Sequence, residues 1–159
     1  MNETLLIVED DPEVGDFLET ALKMQGYRVL RTTHADRALA LVRDRRPDLL
    51  LMDLVLPGLS GWDLLRALRR DPANARLPII AMSARQKSAF DASEVLYEGA
   101  DDFILKPFEA EVLVARVDAH LRRRSWGGDA AADRDWRASG DGRIRLQLSS
   151  RTLELKHRQ

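Results

Sequence analysis

Asp53 closes the apolar run Asp48-Leu-Leu-Leu-Met-Asp53. A strand that is apolar throughout is buried on both faces, as in a parallel sheet. Its terminal carboxylate therefore emerges at the C-terminal mouth of the sheet, where open α/β folds bind ligands. Leu5-Leu-Ile-Val8 runs in the same manner into Glu9-Asp10-Asp11, and Phe103-Ile-Leu105 into Lys106-Pro107-Phe108. Ser83 follows Ile79-Ile-Ala-Met82. Carboxylates gathered in one place repel one another unless a cation lies among them, and oxygen donors without His or Cys suit Mg²⁺. Lys106 offers a point charge and Ser83 a hydroxyl, both suited to phosphoryl oxygens. The chemistry implied is phosphoryl transfer to Asp53 as nucleophile, with Mg²⁺ and Lys106 neutralising the oxygens. Singly, each residue has a plainer role: Asp11 a helix cap, Glu9 and Asp10 turn residues, Lys106 a surface lysine, Ser83 a loop hydroxyl. Asp53 resists this, because a carboxylate ending an apolar strand is desolvated at a cost unless something holds it.

The elements that must position these groups follow from periodicity. Strands are expected at 4–9, 27–31, 48–53, 78–82 and 102–105, and helical stripes lie between them. Val14, Phe17, Leu18, Ala21 and Leu22 make the first stripe, with Asp11-Pro12 as N-cap and first-turn proline and Gly26 as the stop. The second carries Ala38, Leu39, Leu41 and Val42, and Thr33-x-x-Asp36 before it resembles a capping box with Asp in place of Glu. A third helix is expected over 61–70, stopped by Asp71-Pro72. The fifth, from about Glu109, carries Val112, Leu113, Arg116, Val117, His120 and Leu121. The fourth, within 87–98, has the poorest stripe and is the element expected to move. Regular alternation implies a doubly wound, five-stranded parallel sheet with right-handed crossovers and helices on both faces. In strand order 2-1-3-4-5 the first and third strands are neighbours at the switch point, which brings Glu9, Asp10 and Asp53 together.

The 159 residues fit one ordinary domain plus a remainder too short for a second. Hydrophobic content of 45% supports a core, and a net charge of −1 gives no global pull toward nucleic acid or membrane. The absence of cysteine excludes disulfides and thiolate metal sites. With no signal-like or membrane-spanning run, a cytoplasmic location is expected. Residues 1–124 form the expected α/β domain. Residues 125–142, rich in Gly, Ala, Asp, Ser and Arg, read as a linker. Within 143–159, Ile144-Arg-Leu-Gln-Leu148 and Leu153-Glu-Leu155 alternate about a turn and predict a β-hairpin.

Residues 4–124 closely resemble the receiver domain of two-component response regulators, with its CheY-like fold. The resemblance rests on Ile-Val-Glu9-Asp10-Asp, Leu-Met-Asp53-Leu-x-Leu-Pro57-Gly58-x-Ser-Gly61, Met-Ser83-Ala84, Gly99-Ala-Asp-Asp-Phe103 and Leu-Lys106-Pro107-Phe108. It implies Asp53 as phosphoacceptor from a sensor histidine kinase and Asp10 as a direct Mg²⁺ ligand. Glu9 would act through water, and the Val55 carbonyl would complete the metal shell. Lys106 and Ser83 would grip the phosphoryl group, and Phe103 would be a rotating aromatic switch. Lys106-Pro107 would be a cis peptide. Such a domain is not an enzyme in the ordinary sense but a phosphoacceptor that promotes its own phosphorylation and dephosphorylation.

Residues 142–159 resemble the strands that open the winged-helix effector of OmpR/PhoB-type regulators. This implies transcription regulation by a longer protein of which the chain is a truncation, with DNA bound only through an effector absent here. A regulator that ends naturally at the hairpin and acts through protein contacts is the alternative. The subfamily further implies homodimers after phosphorylation through helix four, strand five and helix five, with Asp101, Asp102, Arg116, Arg122 and Arg123 as candidates. Val112 stands where the subfamily usually has Glu, and segment 84–98 is about one residue longer than usual. A dehalogenase-type phosphatase would need a carboxylate where Val55 stands. A flavodoxin-like flavin carrier would find Glu9-Asp10-Asp11 repelling its phosphate.

Overall fold

The computed structural model describes residues 2–84 and 89–125, together with three later strands. Strand and helix alternate as β1 (Thr4–Val8), α1 (Pro12–Met24), β2 (Arg28–Thr32), α2 (Ala35–Arg45), β3 (Leu49–Asp53), α3 (Gly61–Arg70), β4 (Ile79–Ser83), α4 (Ala89–Tyr97), β5 (Asp102–Leu105) and α5 (Ala110–Ser125). The five strands pair in parallel in the order β2-β1-β3-β4-β5, the expected doubly wound sheet.

The pleat sorts the core into two layers. Leu6, Val8, Leu50, Met52, Ile79 and Ala81 face α2, α3 and α4, meeting Ala38, Val42, Leu64, Leu68 and Val95. Leu5, Ile7, Leu49, Leu51, Ile80 and Met82 face α1 and α5, meeting Leu18, Leu22, Leu113 and Val117. Each buried leucine contributes about 1.5–3 kcal/mol, so the central strands hold the sheet regardless of what happens at its mouth.

Local chemistry sets the helix ends. The Asp11 side chain accepts from the amides of Glu13 and Val14, and Pro12 opens α1. Gly26, just past the α1 C-cap, has φ +89°, where glycine carries no Cβ penalty. Ser60 caps α3 by accepting from the Asp63 amide. The capping box expected at Thr33 and Asp36 does not form. Helix α2 starts at Ala35 with His34 as N-cap and no side-chain cap bond, while Thr33 Oγ1 lies 2.7 Å from His34 Nδ1. This start places Asp36 at the second helical position instead of the third, so it cannot reach back as the motif requires.

The later strands, β6 (Trp136–Ala138), β7 (Ile144–Gln147) and β8 (Thr152–Leu155), form an antiparallel sheet in the order β6-β7-β8. β6 lies within the stretch read as a linker; three residues are too short for alternation to stand out in sequence. β6 and β7 run beside α4.

Candidate functional site

The sheet register delivers the reactive groups to one end. Val8 pairs with Met52, so the residues after β1 lie beside Asp53. Asp53 pairs with Met82, which sets Ser83 one step beyond it, and Ser83 pairs with Leu105, just before Lys106. Glu9, Asp10 and Asp53 converge with one oxygen from each within 4.8 Å of the others, as the switch-point argument expects. Glu9 and Asp53 are buried while Asp10 is exposed. Ser83 is buried at the end of β4.

Lys106 Nζ donates to Glu9 Oε2 at 2.5 Å and also to Asp53 Oδ2. The Asp11 amide donates to Glu9 Oε1, and the Val55 amide to Asp53 Oδ1 at 2.7 Å. Burial pushes the Glu9 carboxyl above its usual range, and the Lys106 and Asp11 bonds offset only part of that. For Lys106, burial pulls the ammonium down, but the bonds and charges of Asp53 and Glu9 outweigh it and hold the pKa above its usual value. The ammonium thus stays charged and serves as internal counterion to two buried carboxylates. A hard, oxygen-seeking cation fits three convergent carboxylates whose only neighbouring positive charge among these bonds is Lys106.

The loop after β3 is kept close by Gly61. A Cβ there would meet the Asp53 carbonyl oxygen at 2.3 Å and Leu54 Cα at 2.5 Å. Gly58, with φ +74°, turns the same loop. Val55 is exposed on it, and Lys106-Pro107 is cis. The Lys106 amide donates to the Ser83 carbonyl, so β4 and β5 stay paired up to the site. Phe103 is already buried, packed in the cluster that contains Ala81, Ala92 and Val95.

A family model for the response regulator receiver domain matches residues 5–118. The chain belongs to this family. It is 40% identical over 131 residues to the phosphate regulon transcriptional regulatory protein PhoB of Pseudomonas aeruginosa, an alignment covering 82% of this chain and 57% of that protein. The chain therefore spans little more than half the length of this relative. The beryllium-fluoride-activated N-terminal receiver domain of Klebsiella pneumoniae RstA superposes with a TM-score of 0.69 at 36% identity, covering 75% of this chain and 98% of that one. The receiver domain of a sensor histidine kinase from Pseudomonas aeruginosa PAO1, solved with a magnesium ion in its active-site cleft, superposes at 0.70 with 30% identity, covering 77% and 99%. The chain is thus a receiver domain of a two-component response regulator, followed by the β6–β8 strands.

The candidate association residues of this receiver divide between bonded and exposed positions. Asp102 is buried and bonded within the chain, accepting from Arg116 Nη1 at 3.1 Å. Asp101 accepts from Arg69 Nη2 and from the Ile79 amide, each at 2.8 Å. Asp102 and Arg116, two of the candidates for association, are thus bonded to each other within this chain. β5 contributes too few residues for periodicity to reveal which side Asp102 takes. Arg122 and Arg123 are exposed. Two partners of this charge layer escaped the sequence reading. Arg69 also holds the carbonyls of Asn74, Leu77 and Gly99, and His120 Nε2 lies 3.2 Å from Asp102 Oδ2. Neither carried a signal: Arg69 sits in an arginine-rich helix end and His120 read as one more member of a stripe.

Proposed function

We propose that Asp53 accepts a phosphoryl group from a phosphohistidine of a sensor kinase and that the receiver thereby controls a longer transcription regulator. The observation carrying this reading is the convergence of Glu9, Asp10 and Asp53 with Lys106 bonded between two of them. Asp53 Oδ attacks phosphorus in line, the new O–P bond forming as the donor's N–P bond breaks and its electron pair stays on that nitrogen, so that the donor, already carrying N–H on its other ring nitrogen, leaves as neutral imidazole. Glu9, Asp10, Asp53 and the Val55 carbonyl would hold Mg²⁺, which supplies charge neutralisation at the phosphoryl oxygens. Lys106 moves its bonds from the free carboxylates to the transferred group, and the Ser83 hydroxyl takes another phosphoryl oxygen. The same groups orient water for hydrolysis, so the domain promotes both gain and loss of its own phosphoryl group.

The added dianion draws Ser83 inward and favours the buried position of Phe103, which biases the α4–β5–α5 face toward a symmetric dimer. The cytoplasm, where the kinase's donor histidine and Mg²⁺ are available, is the site of action, and DNA is reached through effector residues beyond this chain. Intact-mass measurement with Mg²⁺ and a small phosphodonor should show one added phosphoryl group on the native chain and none on Asp53→Ala. Undiminished labelling of that variant would overturn the reading.

A further inference from the structure

Each crossover helix runs back from the mouth of the sheet, so helix C-termini and strand starts share the opposite pole. Six exposed arginines lie there: Arg45 and Arg46 at the end of α2, Arg70 closing α3, Arg76 shortly before β4, and Arg122 and Arg123 in the last turn of α5. The ion pairs at this pole use other arginines, joining Arg43 to Asp44, Arg66 to Glu98, Arg69 to Asp101 and Arg124 to Asp48. Those carboxylates are engaged, and the six exposed arginines have no ion-pair partner among the described residues. At the mouth, Asp10, Asp11, Glu13, Asp36 and Asp63 are exposed. The net charge of −1 therefore conceals a chain that is acidic at one pole and basic at the other.

Contacts between elements join these arginines into one band. Arg124 Nη1 donates to the Asp48 carbonyl and carboxylate, which fastens the end of α5 to the loop carrying Arg45 and Arg46. The Leu50 amide donates to the Pro78 carbonyl, which sets the approach to β4, with Arg76, beside the start of β3. Helix α2 also packs against α3, which ends at Arg70. Favourable placement of cations at helix C-termini accounts for Arg45 and Arg70. It does not account for Arg76, outside any α-helix, or for Arg46, whose φ of +46° is a region that L side chains enter at a cost. Arg46 is exposed, so packing does not offset that cost.

We propose that this basic pole is an interaction surface for the phosphate backbone of duplex DNA, contacted without sequence preference. Guanidinium forks match phosphate oxygens in pairs. Phosphate contacts position a protein on DNA, while base contacts, left here to an effector, specify the site. The choice of DNA among polyanions rests on the transcription-regulator reading above: α5, with Arg122 and Arg123, leads into the segment that resembles the opening of such an effector. The charge separation also orients the receiver, because the acidic mouth is repelled by the duplex and stays turned away from it.

The test is fluorescence anisotropy of a labelled duplex of arbitrary sequence, titrated with the full chain. Affinity should fall roughly 150-fold between about 0.05 and 0.2 M salt, as counterion release predicts for about four phosphate contacts. Arg122→Gln combined with Arg123→Gln should lower the logarithmic salt slope by about two. Arg37→Glu makes the same change in net charge at an exposed position in the first turn of α2, near the mouth, and should leave binding unchanged. Arg46→Gly relieves the positive φ, so it should keep the urea midpoint at least as high while lowering the slope by about one. Equal weakening by Arg37→Glu and by the Arg122 and Arg123 changes is a net-charge effect and overturns the surface. Binding to phosphatidylglycerol vesicles but not to duplex overturns DNA as the occupant. Absence of duplex binding at about 0.05 M salt in a chain whose mass shows phosphorylation overturns this proposal alone. A chain that binds duplex through these arginines but gains no phosphoryl mass overturns the phosphoacceptor reading and leaves this surface standing.

Discussion

Lys106 has one role in the resting chain and, under the proposed phosphoryl transfer, would have another. At rest it is the cation between Glu9 and Asp53, both buried. Replacing it with Met leaves two buried carboxylates facing each other without a counterion. Such a loss costs about 3 kcal/mol in stability when the site is fully desolvated, and somewhat less here because the mouth is open beside Asp10. Lys106→Met should therefore unfold at lower urea in EDTA, and millimolar Mg²⁺ should recover much of the difference, since a ligand that binds only the folded chain stabilises it by mass action. Phosphorylation of that variant should remain poor even with Mg²⁺, because no ammonium is left to take the phosphoryl oxygens. If EDTA and Mg²⁺ samples of the variant unfold alike, the three carboxylates do not hold the ion.

Between elements, two features tie the site to the scaffold. Gly61 lets α3 begin against the Asp53–Leu54 backbone, which a side chain would strike at 2.3 Å from the Asp53 carbonyl. The atoms it would strike are backbone, so relief requires moving the loop that carries Val55. Gly61→Ala should cost roughly 2 kcal/mol in urea denaturation and slow phosphorylation further than that loss of stability explains. At the opposite end, the Tyr27 hydroxyl donates to Asp118 of α5, and burial followed by this bond raises the phenol pKa well above its usual value. A group whose folded pKa is raised stabilises the fold fully below its unfolded value of 10.0 and loses that contribution as pH rises toward the folded one. Tyrosinate absorbance should therefore show Tyr27 ionising only with alkaline unfolding. Tyr27→Phe should weaken the neutral-pH fold by about 1 kcal/mol and reduce the alkaline loss.

For the molecule as a whole, the charge layer around Asp102 changes what association should look like. With Asp102 held by Arg116 and His120 and Asp101 by Arg69, the leading ionic candidates are engaged within the chain. Leu105 of β5 and Val112 of α5 are each 42% exposed, and Tyr97 of α4 is 38% exposed. An activated dimer through this face should accordingly be mainly apolar. Sedimentation of the beryllofluoride-activated chain should change little between about 0.05 and 0.5 M salt, whereas ionic interfaces weaken as screening shortens over that range. Val112→Asp should reduce the dimer. A strongly salt-sensitive dimer would mean that activation frees Asp102 and Arg116 for a partner. β6 and β7 lie beside α4, so removal of residues 126–159 should speed amide exchange in α4.

The alternating apolar runs were sufficient to determine the parallel sheet and its layers, because strands such as Leu49–Asp53, buried on both faces, have no other stable setting. Carboxylates and a lysine at the ends of those runs likewise made the site legible: a strand's end is a place in the fold as well as in the sequence. The start of α2 was not legible, since Thr33, His34 and Asp36 offer competing caps and packing of Ala35 and Ala38 decided among them. Nor were the partners of Asp102. An acidic residue on a four-residue strand carries too little periodicity to show its face, and Arg116 and His120 reach it from 14 and 18 residues away. Only the packing of α5 across the sheet turned that carboxylate inward, because a buried charge persists where hydrogen-bonding partners converge on it.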